Sequence, residues 1–241
     1  MTEGWERAEA ALAGASVSLD VLALRPDYRV LLVVADGLTG GPSDAAGDEL
    51  LARAERDAMG TIGDSRVEDL EHVAQWREAF RAFGAKPQRT RNSVEALLRR
   101  VPGGLPRINR LTDVYNAVSV MHVVPVGGED LVCYVGPPRL VRAAGDEEFD
   151  TIAAGEPVIE SPEPGEVVWR DDLGVTCRRW NWRQCRRTQL TEKTTTAVFI
   201  LDCLAAAGED GALAAGEDLR ERLEGTNPGA RFASRLLPRD A

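Results

Sequence analysis

The sequence predicts an α+β (mixed α/β) protein in which mostly antiparallel β-sheets, or a sandwich, are flanked by helices. Three observations carry this. Apolar residues recur at helical spacing through 44–59, 67–83 and 108–118. After Met121 the pattern changes to short alternating runs parted by tight turns, as antiparallel strands require. The run 31–34 (Leu-Leu-Val-Val) is apolar without alternation and suits the interior of a sheet.

In order, residues 6–15 read as a short helix, and 17–24 and 27–34 as strands turning at Arg25-Pro26-Asp27. The glycines of 36–42 end the second strand without the spacing or the lysine of a phosphate loop. Ser43 is a candidate N-cap for the helix from 44 to about 59. A break at 60–65 leads to a second helix, 67–83, whose buried stripe is Val67, Leu70, Val73, Ala74, Phe80 and Phe83, with Trp76 flanking it. Phe83-Gly84-Ala85-Lys86-Pro87 stops that helix. Asn92 and Glu95 resemble a capping box for a helix to Arg100, and 101–106 is a loop. Beyond the helix at 108–119, residues 123–126 and 131–135 read as strand, turn, strand; 140–142 and 157–159 are further short strands. Residues 165–170 and 175–177 make a hairpin. Trp180-Asn181-Trp182-Arg183 continues with period two, both indoles on one face. The apolar run 197–204 is a strand or a helix; a helix covers 217–223, and the tail from 225 is expected at the periphery. The expected division is 1–85 as an N-terminal α/β segment packed on the same unit, 86–215 as the core, and 216–241 as a C-terminal helix and tail.

A chain of 241 residues, 44% hydrophobic and 28% charged, can bury a sizeable core. No run is long and apolar enough for a membrane span, and the acidic N-terminus has no signal-like core, so a cytoplasmic protein without a membrane partner is expected. The four cysteines form no Cys-x-x-Cys pair and only His72 and His122 exist to help them, so a structural zinc site is not expected, and no metal-binding residue is assigned. Net charge is −10, from 29 basic and 39 acidic residues, which argues against bulk nucleic-acid binding, and no DNA partner is expected. Yet basic residues crowd into 77–110 and 176–193, and acids into 44–71 and 146–172. Such segregation either presents a basic surface to a phosphate backbone or pairs the two sets across the fold.

The helix at 108–119 is the most informative stretch. Ile108, Leu111, Val114, Tyr115 and Val118 form its apolar face; Asn109, Thr112, Asp113, Asn116 and Ser119 form a second face of amides, hydroxyls and one carboxylate. Small polar groups in a row either bond a specific ligand or bond neighbouring backbone. No nucleophile elbow, zinc-protease helix or dinucleotide fingerprint occurs, and two histidines make a Ser-His-Asp arrangement improbable. An enzyme with this toolkit positions water and substrate with amides, hydroxyls and a carboxylate, which suits an activated ester better than an amide.

Leu105-Pro106-Arg107-Ile108-Asn109, Val114-Tyr115-Asn116 and Pro125-Val126-Gly127-Gly128-Glu129-Asp130 together resemble the B3/B4 domain of the bacterial phenylalanyl-tRNA synthetase β subunit. That domain has Pro-x-x-Asn, Val-Asp-Val-Thr-Asn and Pro-Leu-His-Ala-Phe-Asp in the same order. Lys86-Pro87, Gly165-Glu166-Val167-Val168, Trp180-Asn181-Trp182-Arg183 and the threonine-rich 188–196 are similar to its free-standing relatives, small bacterial proteins made of this domain alone. The resemblance covers about 83–204; the first eighty residues fit in layout only. It implies a B3/B4-like fold and, for 86–215, a tRNA-editing-like core.

In the synthetase this domain hydrolyses tyrosine wrongly attached to tRNA. The resemblance therefore implies a pocket for an aminoacyl-tRNA, or its 3′ end, and no cofactor. Asn116 matches a pocket asparagine and Asp113 the aspartate of the same helix, so both are candidate catalytic residues. Asn109, Thr112, Tyr115, Gly127, Asp130, Trp180, Asn181 and Arg183 are candidate substrate-binding residues. Arg107, Arg110, Arg178, Arg179, Arg186 and Arg187 are candidates for steering RNA phosphates. Two departures stand out: the synthetase motif's histidine falls at Gly127, and the threonine before its asparagine falls at Tyr115. The expectation is a deacylase that clears mischarged aminoacyl-tRNA in trans. The alternative is a non-catalytic module that binds an amino acid, a small aromatic metabolite or RNA.

Overall fold

The computed structural model describes residues 3–238. In chain order the elements are α1 (Glu3–Gly14), β1 (Ser16–Val17), α2 (Leu19–Leu24), β2 (Arg29–Asp36), α3 (Ala45–Ile62), α4 (Glu71–Ala82) and α5 (Ser93–Leu98). Then follow α6 (Arg110–His122), β3 (Val126–Asp130), β4 (Arg139–Arg142), β5 (Phe149–Ala153), β6 (Glu156–Glu160), β7 (Val167–Arg170) and β8 (Val175–Arg178). The chain closes with β9 (Arg183–Gln184), β10 (Thr196–Cys203), α7 (Gly208–Thr226) and β11 (Arg231–Leu237). The fold is α+β, with mostly antiparallel sheets flanked by helices.

The central sheet runs β11-β2-β10-β3, antiparallel throughout. Its alternate residues part into two cores, as strand geometry requires. Val30, Leu32, Val34, Val198 and Ile200 meet Trp5, Ala8 and Leu12 of α1 on one face. Leu31, Val33, Phe199 and Leu201 meet α6 and α7 on the other. A second sheet, β1-β4-β7-β8-β9, adds Leu140, Trp169 and Cys177 to the α1-side core; β5 and β6 form a separate hairpin. Because α6 packs the sheet on one side and α3 and α5 on the other, residues 111–120 are all buried. Hydrophobic spacing shows only one of those two contacts, which explains why the second side read as a polar face.

Several local expectations change. Residues 19–24, expected as strand, are helix after only two residues of β1; Leu and Ala favour helix, and only Val21 of the six is buried. The N-cap of α3 is Asp44, which accepts from the Gly47 N–H at 2.9 Å, while Ser43 donates instead to Asp113. Trp76 does not flank the core; it is fully buried within it. Residues 131–133 form a 3₁₀ turn, because the Asp130 carboxylate accepts from the Val132 N–H at 2.9 Å and ends β3. Residues 180–182 are not strand: Arg179 and Trp180 both take positive φ, 48° and 67°, and turn the chain. The two indoles therefore part, Trp180 into the core and Trp182 half-buried. The run 197–204 resolves as strand β10. The C-terminal helix is longer than expected, and the tail becomes edge strand β11, pairing with the otherwise open side of β2.

Candidate functional site

A cavity of about 520 Å³ opens where α5 and α6 meet the β3 edge of the central sheet and the turn at 180–184. That volume lies within the range of small-molecule sites. Tyr115 and Asn116 of α6, Val126, Gly127 and Glu129 of β3, and Ile200 and Asp202 of β10 line it. Trp169, Trp180 and Trp182 add three indoles to its walls. Its rim carries Arg89, Arg91, Arg99, Arg100 and Arg183.

Of the polar face of α6, Asn116 is the member turned to use. It is buried, lines the cavity and makes no side-chain hydrogen bond to another described residue. Its neighbours hold structure. Asn109 caps the helix, accepting from the Thr112 N–H at 2.9 Å and donating to Leu190 O at 3.2 Å. Asp113 lies outside the cavity and accepts from Ser43 Oγ and the Ile108 N–H, tying the start of α6 to the segment before α3. Ser119 donates to Val124 O at 2.6 Å. Thr112 is buried beside the cap without lining the cavity. Tyr115 is a wall residue whose hydroxyl burial pushes up to about 12.

On β3, Gly128 lets the strand approach α6: a Cβ there would stand 2.7 Å from Leu190 Cδ1 and 3.0 Å from the Tyr115 ring. Gly127 contributes only backbone to the cavity, and a Cβ there would meet Gln184 Nε2 at 3.1 Å. Asp130 does not line the cavity; it accepts from Val132 N and, at 2.7 Å, from Thr194 Oγ1. Trp180 is a buried wall, edge-on to Tyr28 and Trp76 at 5.0 and 5.4 Å between ring centroids. Asn181 lines the cavity and donates to Asp202 Oδ2 at 3.3 Å. Arg183, at the rim, donates to Ile152 O at 2.6 Å and lies over the Trp182 ring.

The structure thus brings Tyr115, Asn116, Gly127, Trp180, Asn181 and Arg183 to one cavity and leaves Asn109, Thr112, Asp113 and Asp130 outside it. The arginines singled out for phosphates lie elsewhere. Arg107 pairs with Asp48 and Glu55, Arg110 with Asp44, Arg178 with Glu160 and Glu166, and Arg179 with Glu166. Arg186 pairs with Asp150 and Arg187 with Asp171. Rim residues Arg89 and Arg100 are exposed and form no ion pair among the described residues.

Two carboxyls that sequence reasoning passed over lie in the cavity. Glu129 is fully buried; Tyr134 and Thr188 hydroxyls donate to its Oε2, the latter at 3.0 Å, and Oε1 has no partner. Burial pushes its pKa up to about 7, against the pull of those hydroxyls. Asp202 accepts from Tyr28 at 2.5 Å and from Asn181, and burial likewise raises it to about 7. A charged residue inside the apolar run 197–204 was a readable signal for Asp202; Glu129 sat in what read as a turn. Neither histidine enters the cavity. His72 is a satisfied core group, bonded to Val123 O, Trp76 Nε1 and Leu204 N, and His122 faces Asp218.

The N-terminal fragment of the phenylalanyl-tRNA synthetase beta-subunit from Pyrococcus horikoshii superposes with a TM-score of 0.48 at 10% sequence identity. The superposition takes in 93% of this chain and 54% of that one, so the chain spans about half the length of that fragment. No curated protein matches. The family model described as the B3/4 domain matches residues 75–226, well over half of the sequence, and the chain belongs to the B3/4 domain family.

Proposed function

We propose that this protein is a cytoplasmic deacylase that hydrolyses the ester of a mischarged or non-standard aminoacyl-tRNA in trans, taking the 3′ end of the tRNA into the cavity. The observation that carries this reading is Asn116: an amide without a protein partner, buried in a cavity with an apolar wall and an arginine rim. The rim suits the phosphates of a nucleotide chain, and the indoles suit a base or ring. Asn116 would donate to the ester carbonyl oxygen, where negative charge develops as water attacks. Water adds to the carbonyl carbon and the ribose oxygen departs. With no imidazole in the cavity, the proton lost by water passes to that oxygen, relayed by the neighbouring ribose hydroxyl of the substrate. The products are the free amino acid and uncharged tRNA.

The test is purified protein offered a panel of mischarged tRNAs. Amino acid should be released faster than in buffer, and Asn116→Ala should slow release by about 10-fold or more while melting where the wild type does. No release from any tRNA at micromolar protein refutes the reading. One observation favours a second reading, a binding module without turnover: Gly127 supplies no side chain, and Gln184 borders the space beside it. Under that reading a ligand stabilises the protein and release never exceeds the buffer rate.

A further inference from the structure

A second, smaller cavity of about 250 Å³ opens beside the first, between the segment 83–90 that follows α4 and the residues Glu163, Glu166 and Arg179. Arg89 lines both cavities. Arg179, a wall of the smaller one, lies over the ring of Trp182, a wall of the larger, 4.6 Å from its centroid. The two spaces are therefore neighbours on one surface.

The free charge of the smaller cavity is positive. Lys86 and Arg89 are exposed and form no ion pair among the described residues. Glu166 is spent within the protein: it accepts from Arg178 and from Arg179, which also donates to Thr90 Oγ1. Glu163 is exposed and opposes the two free cations. Two cations against one acid leave an excess of one positive charge, in a chain whose net charge is −10. Elsewhere the arginines are neutralised: Arg107, Arg110, Arg178, Arg186 and Arg187 each sit against a carboxylate. A polyanion meets least repulsion along Lys86, Arg89 and the arginine rim of the larger cavity. Phe83 is the one aromatic wall of the smaller cavity, so charge rather than stacking would hold a strand there.

We infer that Lys86 and Arg89 hold backbone phosphates of the RNA nucleotides that precede the 3′ end, so that the strand leaves the large cavity across the small one. This rests on the proposed function for the identity of the strand, and its test does not need turnover. Binding of unfractionated tRNA to the full chain is measured by filter binding at about 50 and 200 mM salt. Lys86→Glu should weaken binding several-fold at the lower salt and reduce the salt dependence by about one phosphate contact. Glu163→Lys, which removes the opposing acid, should tighten binding several-fold. Arg56→Glu reverses an exposed charge on α3 that lines neither cavity; it controls for net charge and should change affinity by less than about two-fold. All three positions are exposed, and thermal melting verifies that each variant folds; should one of the first two fail, the other decides. Lys86→Glu no weaker than the control, Glu163→Lys no tighter than wild type, or no tRNA binding at the lower salt overturns the inference. Lys86-dependent tRNA binding without release from any mischarged tRNA supports the strand path and rejects the deacylase; release with tRNA binding indifferent to Lys86 and Glu163 does the reverse.

Discussion

Replacing Glu129 with glutamine is expected to stabilise the protein at alkaline pH and to do nothing in acid. An ordinary glutamate releases its proton near 4.5, but in the folded chain burial holds the Glu129 proton to about 7. Between those values the folded state binds a proton that the unfolded chain has lost. Stability therefore falls as pH rises through this window, and the loss is complete above 7. At about 1.36 kcal/mol per pH unit the cost reaches on the order of 3 kcal/mol. Glutamine cannot ionise and still accepts from Tyr134 and Thr188, so it escapes most of that cost. Urea unfolding of both proteins at pH 4.5 and pH 8 measures it. The variant should gain roughly 1–3 kcal/mol at pH 8 and be within about 0.5 kcal/mol of wild type in acid. Asp202 ionises over a similar window in both proteins, so the difference between them isolates Glu129. Equal or lower stability of the variant at pH 8 would refute the reasoning.

Three further substitutions separate structure from function. Asp113→Ala removes the acceptor of Ser43 and of the Ile108 N–H and should cost about 1–3 kcal/mol by urea unfolding; a variant of wild-type stability that loses turnover would contradict its placement outside the cavity. Gly128→Ala drives a methyl into Leu190 and Tyr115 and should destabilise by about 1–3 kcal/mol, read from the same measurement. Arg100→Glu should weaken tRNA binding several-fold at low salt, a difference that narrows as salt rises; filter binding at two salt concentrations reports it.

Much of the fold was legible because it is fixed locally. The Asn92 cap, the helices α3 and α4 and the β7–β8 hairpin each depend on residues a few positions apart. What escaped depends on distant partners. Arg178 and Arg100 are the same residue type in similarly basic segments; only the fold brings Glu160 and Glu166 to one and leaves the other at a cavity rim. The turn at Arg179 and Trp180 has no glycine to announce it; the Arg179 N–H donates to Glu166 and the Trp180 N–H to Val167 O, and Trp180 is drawn between Tyr28 and Trp76. Within the candidate site, helical spacing placed Asn116 among five polar residues of one face, and only the resemblance set it apart. Its neighbours Asn109 and Asp113 shared that face but were claimed by the helix cap and by Ser43, contacts that no periodicity distinguishes from a ligand. Glu129 emerged only once β3 paired with β10 and turned its carboxyl inward.

The proposed function places the aminoacylated end of a tRNA in this cavity with its carbonyl at Asn116. A crystal structure with a non-hydrolysable aminoacyl-adenosine, an amide in place of the ester, tests it most directly. The proposed function predicts the carbonyl oxygen within hydrogen-bond distance of the Asn116 amide and the ribose towards Arg89 and Arg100. Analogue bound elsewhere, bound in the opposite direction, or absent at saturating concentration would contradict it.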